Sequence, residues 1–214
     1  MKPKHNNEIN DDIRKENEKF NKQWIADNKL IGGDTVSLDE LDVSSEVKKD
    51  SVLFMVAWLK NIERLCEMFC SEFDYKSFSL LDVGCGSGIS TFFFHQKYNF
   101  DRCDGFDFSA NLIELANMNK KIINRNGVDT SSISFEIANA KQIKLQDKRY
   151  ALFMFNPFGW ETMSEFVSNN IEVLQKNNSV ILYANDICVG NLLEFGRMLK
   201  RDDFFNLSVI AFGD

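Results

Sequence analysis

Histidine, proline and paired cysteines are scarce in this sequence, which argues against several kinds of site. The 214 residues include two histidines, two prolines and five cysteines, and no two cysteines form a C-x-x-C pair. An odd number of cysteines argues against a closed disulfide framework. Cys66 and Cys70 are one helical turn apart, but with only His5 and His95 to join them they favour helix packing over a metal site. We therefore expect no bound metal.

Long apolar runs and clusters of basic residues are also missing. The longest apolar stretches, such as residues 51–59, are far shorter than the roughly 20 residues that cross a bilayer, and no signal peptide opens the chain. The net charge is −7, and the basic residues occur only as doublets such as Lys48-Lys49 and Lys120-Lys121. Nucleic acid is bound largely through clustered Lys and Arg, so that partner is disfavoured. We expect a cytoplasmic protein without a membrane or nucleic-acid partner.

The composition is that of one folded domain with an N-terminal extension. Hydrophobic residues make up 44% of the chain and charged residues 27%, and 20 phenylalanines can bury a large core. Residues 1–28 are polar except for Phe20 and Trp24, which are four positions apart, so a frayed tail running into a short amphipathic helix is predicted. The glycine pair at 32–33 then begins a predicted loop over residues 32–46.

The rest of the chain, residues 51–214, is predicted to form the folded domain, and residues 1–50 the tail, helix and loop. Residues 51–73 have helical apolar spacing, and from residue 78 short apolar runs alternate with helical patterns. The predicted strands are 78–83, 103–108, 133–138, 150–155, 179–184 and 204–212, and the predicted helices 91–98, 111–126, 161–175 and 190–201. This alternation predicts an α/β fold, a doubly wound Rossmann-like and mostly parallel sheet with helices on both faces.

A glycine-rich turn follows the first predicted strand. In LLDVGCGSGIS, residues 80–90, three glycines stand where the strand must turn sharply into a helix and where the backbone can approach a ligand closely. A dinucleotide fingerprint requires Gly or Ala where this chain has Ile89, which counts against NAD. The sequence also lacks G-x-x-x-x-G-K-[ST], so a P-loop nucleotide site is excluded.

An acidic residue ends the second predicted strand. Asp107 lies about twenty residues beyond the glycines, where a carboxylate can accept hydrogen bonds from both hydroxyls of a ribose. The alternative is that Asp107 only caps the following helix. Ser109 is the better N-cap, which would leave Asp107 for a ligand.

These two turns together resemble a known family. DVGCGSG at 82–88 and GFDFS at 105–109 look like motifs I and II of class I S-adenosylmethionine-dependent methyltransferases. The resemblance spans roughly residues 78–185 and implies S-adenosyl-L-methionine as the cofactor. It implies the following cofactor-binding residues: Asp82 and Gly84 at the methionine part, Cys85, Gly86 and Gly88 in the turn, and Asp107 with Phe108 at the ribose.

The third turn of the family usually carries an Asp-Ala pair beside the adenine. This chain has Asn139-Ala140 after the third predicted strand, and the resemblance places Asn139 near the adenine edge. Family members usually end in a two-stranded hairpin, but FFNLSVIAFGD supplies one clear strand, so either the sheet is expected to be one strand short or the sequence to be truncated. The chain is also similar to a bacterial group of methyltransferase-like proteins with an FNPFG motif and largely unassigned substrates.

The segment FMFNPFGW, residues 153–160, begins in the fourth predicted strand and continues into the turn after it. Related enzymes carry their substrate-facing motif in this turn. Amino-methylating enzymes have [Asn/Asp]-Pro-Pro-[Tyr/Phe] there, and this chain has the Asn, one Pro and then Phe. Asn156 is thus predicted to contact both cofactor and methyl acceptor, and Phe158 the acceptor. The alternative is that the segment merely turns the chain. Asp186 is a further candidate, either as a general base or as a cap for the helix near Gly190.

The function that these motifs imply is methyl transfer to an unidentified acceptor, either a small molecule such as a sugar or another metabolite, or a protein. Direct displacement at a sulfonium needs positioning more than one fixed catalytic residue. A catalytically silent cofactor-binding or regulatory domain with the same fold is the alternative, and a dehydrogenase is a third.

Overall fold

One sheet runs through the part of the chain that the computed structural model describes, which is residues 11–33, 55–98 and 100–213. Its strands are β1 (Ser79–Val83), β2 (Arg102–Asp107), β3 (Ile133–Ile137), β4 (Tyr150–Phe155), β5 (Val180–Ala184), β6 (Arg197–Asp202) and β7 (Leu207–Ala211). The helices are α1 (Asp11–Asp27), α2 (Leu59–Cys70), α3 (Ile89–Lys97), α4 (Ala110–Arg125), α5 (Trp160–Lys176) and the short α6 (Val189–Leu192), with a 3₁₀ turn at Tyr75–Ser77. The predicted α/β architecture is confirmed.

The strand order places the predicted ligand edge at the centre of the sheet. The order is β3-β2-β1-β4-β5-β7-β6, with β1 to β5 parallel and β7 antiparallel to both of its neighbours. The chain moves outward from β1 through β2 to β3 and then returns to build β4 and β5 on the other side. Between β1 and β4 the winding therefore reverses, and ligands of open α/β sheets bind at the carboxyl ends of the strands beside such a reversal.

Both faces of the sheet are covered, and this explains why the central strands are continuous apolar runs. Every residue of β1, β5 and β7 is buried. One face packs against α1, α2 and α3 through phenylalanine rings, including Phe69 against Phe78 at 5.0 Å and Phe94 against Phe153 at 5.0 Å between ring centroids. The other face packs against α5 and α6. Strands buried on both faces have no polar side to alternate with, so they are apolar throughout.

The N-terminal helix packs onto the domain. Phe20 and Trp24 of α1 meet Phe93 edge to face at 6.3 and 5.3 Å between ring centroids, which confirms the amphipathic helix predicted from their spacing. The buried amide of Asn21 donates to the carbonyl of Ala57 and accepts from the amide of Leu59, both at 2.9 Å. Asn21 thereby satisfies backbone groups at the start of α2, which no side chain of its own caps.

Two predictions at the carboxyl end were wrong. The helix predicted over 190–201 is helical only at Val189–Leu192, and Arg197–Asp202 forms the edge strand β6, which pairs with β7 through a bulge between Met198 and Lys200. The charges of an edge strand face solvent, so its sequence does not have the apolar pattern of an inner strand. The sheet is consequently not one strand short, since β6 and β7 form the closing hairpin.

The boundaries of two other predicted elements also differ. The helix predicted over 51–73 begins at Leu59, and residues 55–58 are not helical. The last strand begins at Leu207 rather than at residue 204. The predicted tail over residues 1–10, most of the predicted loop over 32–46, and residues 51–54 lie outside the described residues. In the described ranges no helix is both long enough and apolar enough to cross a bilayer.

The docking of α1 generates a stability prediction. Asn21→Ala should lower the free energy of unfolding by about 1–3 kcal/mol, because the carbonyl of Ala57 and the amide of Leu59 lose their buried partner. Urea denaturation of the full chain measures this loss. Gln23→Ala is the matched control, because among the described residues that exposed amide bonds only to Asp27 of α1, and its loss should change stability by under about 0.5 kcal/mol. Equal effects of the two substitutions would contradict a structural role for Asn21.

Candidate active site

The glycine turn after β1 lies against the turn after β4. Gly84, Gly86 and Gly88 all have positive φ, at 75°, 53° and 78°. The amides of Gly84 and Cys85 both donate to the carbonyl of Phe106 in β2, at 2.9 and 3.0 Å. A Cβ on Gly84 would lie 2.6 Å from the Cβ of Pro157. Gly84 is therefore required both by its backbone conformation and by the approach of the Asn156-Pro157 turn.

Asp107 joins three of the turns at this edge of the sheet. Its Oδ2 accepts from the amide of Gly86 and its Oδ1 from the amide of Ser109, both at 3.0 Å. Its backbone carbonyl accepts from the amide of Ala138, after β3, at 2.9 Å. The hydroxyl of Ser109 accepts from the amide of Leu112 at 3.3 Å, which confirms Ser109 as the N-cap of α4. The carboxylate of Asp107 is therefore bound to the backbone of two turns.

A second carboxylate is buried beneath the glycine turn. Asp82 at the end of β1 is 2% exposed, and its Oδ2 accepts from the hydroxyl of Thr91 at 2.6 Å. Burial raises the pKa of Asp82 to about 7; the Asp107 carboxylate adds to the rise, and the Thr91 hydrogen bond opposes it. A cation at this edge would stabilise the ionised form of Asp82. The electrostatics thus favour a positively charged ligand.

The other predicted residues of the first two turns have packing roles. Cys85 is buried, and burial raises the pKa of its thiol. A Cβ on Gly105 would lie 2.7 Å from the Cβ of Cys85, so the cysteine fills the space that this glycine leaves in β2. Phe108 follows Asp107 and is half-buried. A cofactor contact from either residue stays a prediction.

The Asn139-Ala140 turn after β3 stands beside the carbonyl of Asp107. The side-chain oxygen of Asn139 accepts from the amide of Lys141 at 3.0 Å, and its backbone carbonyl accepts from the amide of Gln142 at 2.9 Å. Asn139 therefore closes its own turn, a local use of an amide oxygen that is typical of Asn. Ala140 is buried in the core on the α5 side of the sheet. Since the side-chain oxygen of Asn139 accepts from Lys141, the predicted contact with adenine would be made by its amide nitrogen.

The Asn156 turn ends the central strand β4, as predicted. Asn156 has φ of 44°, a left-handed conformation that Asn tolerates better than most residues. Its Oδ1 accepts from the hydroxyl of Tyr183 in β5 at 3.4 Å. Phe158 is only 6% exposed and packs into the core on the α5 side, while Trp160 is half-buried against Phe195. Of the predicted substrate-facing pair, the structure therefore leaves Asn156 accessible and buries most of Phe158.

Asp186 is held by the closing hairpin. It is 1% exposed, and its carboxylate accepts from the hydroxyl of Ser208 and forms an ion pair with Arg201, whose Nε lies 3.3 Å away. No side chain caps α6, so the predicted capping role was wrong. Burial raises the pKa of Asp186, and the bonds to Ser208 and Arg201 oppose that rise. These contacts fasten the end of β5 to β6 and β7, and a role as general base stays a prediction.

Sequence reasoning missed the residue that ties the N-terminal segment to the glycine turn. Asn119 in α4 is fully buried; its side chain accepts from the amide of Ile31 at 2.9 Å and donates to the carbonyls of Ile31 at 2.9 Å and Ser87 at 3.0 Å. The hydroxyl of Ser87 donates to the carbonyl of Gly32 at 2.7 Å. Asn119 lies on the buried stripe of α4, and a polar residue within that apolar stripe was the available signal.

The segment that contains these turns matches a known family. Residues 80–177 fit a family model described as a methyltransferase domain. The matched residues make up a little under half of the 214-residue chain. The matched segment runs from β1 to the end of α5 and includes the glycine turn, Asp107 and Asn156. The match supports a class I methyltransferase, and S-adenosyl-L-methionine is the cofactor that it supports. The described residues include no group of three His, Cys, Asp or Glu side chains that could hold a metal ion.

Solved structures agree with this domain at the level of the fold. The N-methyltransferase NodS from Bradyrhizobium japonicum is 12% identical with a TM-score of 0.51, and the match covers 72% of this chain and 96% of that one. The ribosomal protein L11 methylase from Lactobacillus delbrueckii is 14% identical with a TM-score of 0.50, covering 71% of this chain and 77% of that one.

A tRNA (uracil-54, C5)-methyltransferase from Pyrococcus abyssi, in complex with S-adenosyl-L-homocysteine, is 16% identical with a TM-score of 0.48. The match covers 74% of this chain but only 39% of that one. A search of curated proteins found no match to the sequence.

The raised pKa of Asp82 generates a pH prediction. An unfolded Asp releases its proton near pH 4, whereas Asp82 in the folded chain keeps it to about pH 7. Between these values the folded state binds the extra proton, so stability from this group is fully present near pH 4 and is lost as the pH rises to 7. Asp82→Asn is neutral at every pH and can still accept from Thr91. The free energy of unfolding of the variant, relative to that of the wild type, should therefore rise by on the order of 2 kcal/mol from pH 5 to pH 8.

Urea unfolding of both proteins at the two pH values measures this gain. Asp101→Asn, which removes an exposed carboxyl, is the control. An Asp82→Asn difference that does not change with pH would contradict the assignment.

Proposed function

We propose that the carboxyl edge of β1 to β4 binds S-adenosyl-L-methionine for methyl transfer to a small molecule or a protein. Asp107, whose carboxylate accepts from the amides of Gly86 and Ser109, binds the ribose hydroxyls. The observation that carries the proposal is this carboxylate, buried and oriented by two backbone amides at the point where three turns meet. A carboxylate oriented in this way can form strong, charge-assisted hydrogen bonds to a ligand hydroxyl.

The remaining residues surround that carboxylate. We assign Asp82 and Gly84 to the methionine part, Cys85, Gly86 and Gly88 to the turn beneath it, Phe108 to the ribose side, and Asn139 and Ala140 to the adenine. The turn fits such a ligand, because three glycines with positive φ leave its surface without Cβ atoms. The buried Asp82 also fits, since a sulfonium or ammonium group nearby would offset the cost of its ionisation.

The bound cofactor supplies an activated methyl group, and the protein supplies position. Asn156 borders the glycine turn through Pro157 and stands at the carboxyl end of the central strand. We therefore assign it to the space between cofactor and acceptor. Methyl transfer by direct displacement gains most of its acceleration from alignment and from exclusion of water, which a turn fixed on rigid strands can provide. Phe158 supports this turn from the core.

We further propose that residues 51–214 form the catalytic domain and that residues 1–50 are an extension attached to it. The attachment runs through Asn21 at the start of α2 and through Asn119 at the glycine turn. The second contact links the extension to the proposed cofactor site. Cytoplasmic location and the lack of a nucleic-acid partner belong to the same proposal and rest on composition and charge.

A catalytically silent cofactor-binding domain is the second candidate. The observation that favours it is the engagement of Asp186 by Ser208 and Arg201, which commits the candidate base to the closing hairpin. The complete closing hairpin of β6 and β7 does not favour this candidate. Cofactor binding without transfer to any member of a broad acceptor panel would favour this candidate.

Calorimetry with S-adenosylhomocysteine tests cofactor binding. The wild type should bind it, and Asp107→Asn should weaken binding by about tenfold or more, because a charge-assisted hydrogen bond to the ribose is lost. Asp104→Asn is the matched control on the same strand, at a carboxylate that pairs with Arg102 away from the turns, and should leave the affinity unchanged. Absence of binding by folded wild type at high micromolar ligand, or binding of NAD instead, would contradict the proposal.

A further inference from the structure

Tyr183 contacts the side chain of Asn156, which borders the proposed methyl-transfer space. It lies in β5 directly opposite Met154 of β4, two residues before Asn156, and it is fully buried. Its hydroxyl accepts from the backbone amide of Cys188 at 3.3 Å and donates to the Oδ1 of Asn156 at 3.4 Å.

The hydrogen count on this hydroxyl determines which way the Asn156 amide faces. A phenol has one proton to donate, and its lone pairs accept. Since the hydroxyl already accepts from the amide of Cys188, its own proton is available for an acceptor, and the Oδ1 of Asn156 is the oxygen within reach. The Cys188 side chain is a second hydrogen-bond partner of the hydroxyl, but sulfur is a weaker acceptor than an amide oxygen. Burial raises the pKa of Tyr183, so the phenol keeps this proton.

The opposite end of the amide is left for a ligand. With Oδ1 bound by Tyr183, the Nδ2 of Asn156 makes no hydrogen bond to the described residues, and the side chain is half-buried. A side chain that presents only N–H donors binds a ligand atom that offers a lone pair. An amine nucleophile would need the reverse, an oxygen that accepts its N–H hydrogens.

We propose that Tyr183 locks Asn156 with Nδ2 toward the methyl-transfer space, so that the site holds a carboxylate as the methyl acceptor and disfavours an amine. This inference rests on the proposed function. One oxygen of the acceptor is held by Nδ2 while the lone pair of the other forms the O–CH₃ bond, the CH₃–S bond breaks with its electron pair on sulfur, and no proton has to be removed. The product is a methyl ester, and no general base is needed, which is consistent with the commitment of Asp186 to the hairpin.

Binding of sinefungin tests the direction of the amide. Sinefungin is the cofactor analogue in which a C–NH₃⁺ group replaces S⁺–CH₃, so its ammonium marks the methyl position with N–H donors. In the wild type this ammonium faces the donors of Asn156. Tyr183→Phe frees the amide to turn its oxygen toward the ammonium, and the ratio of the sinefungin Kd to the S-adenosylhomocysteine Kd should fall by about threefold. The S-adenosylhomocysteine Kd itself should not change.

Two further variants make the test decisive. Asn156→Asp presents acceptor oxygens whatever Tyr183 does, and it should lower the same ratio by about tenfold. Tyr150→Phe is the control, because this buried tyrosine accepts from the amide of Gln146 and does not contact Asn156. Its ratio should equal that of the wild type.

The outcomes separate this inference from the proposed function. An unchanged ratio in folded Tyr183→Phe, or in Asn156→Asp if the first variant does not fold, overturns the orientation of the amide while cofactor binding stands. Loss of S-adenosylhomocysteine binding by the wild type overturns both. A general packing role for Tyr183 would weaken both ligands alike and would also count against the proposal.

Discussion

The carboxylate of Asp107 is the contact on which this edge of the sheet depends. It accepts from the amides of Gly86 and Ser109, and the carbonyl of the same residue accepts from Ala138, so one residue orders the turns after β1, β2 and β3. The turn after β4 joins them where Pro157 approaches Gly84. Buried backbone amides must find acceptors, and an ionised acceptor forms the stronger bond. Four turns of different sequence therefore form one continuous surface.

The electrostatics of this surface follow from the same arrangement. Two buried carboxylates, Asp82 and Asp107, repel each other, and burial together with this repulsion raises the pKa of Asp82 to about 7. A positively charged ligand would offset the free-energy cost of ionising Asp82 in the folded chain. The cofactor of class I methyltransferases carries such a positive charge. The methyltransferase domain match over residues 80–177 and the chemistry of the site thus agree.

Much of the architecture could be predicted from the sequence, because it depends on local pattern. Doubly buried strands are apolar throughout, glycines mark the sharp turn, and Ser109 caps α4 through a bond three residues away. The edge strand Arg197–Asp202 could not be predicted, since its charges hide the strand pattern. Nor could the partners of Asn119 and Tyr183, because they lie far away in sequence and meet only in the fold. Asn156 was found as a residue of interest, but the direction of its amide depends on Tyr183.

A structure of the full chain with S-adenosylhomocysteine tests the central claim most directly. Both ribose hydroxyls should lie within hydrogen-bond distance of the Asp107 carboxylate, and that carboxylate should keep its bonds to Gly86 and Ser109. The sulfur should face the amide nitrogen of Asn156. A ligand bound elsewhere, or a ribose that does not contact Asp107, would contradict the account.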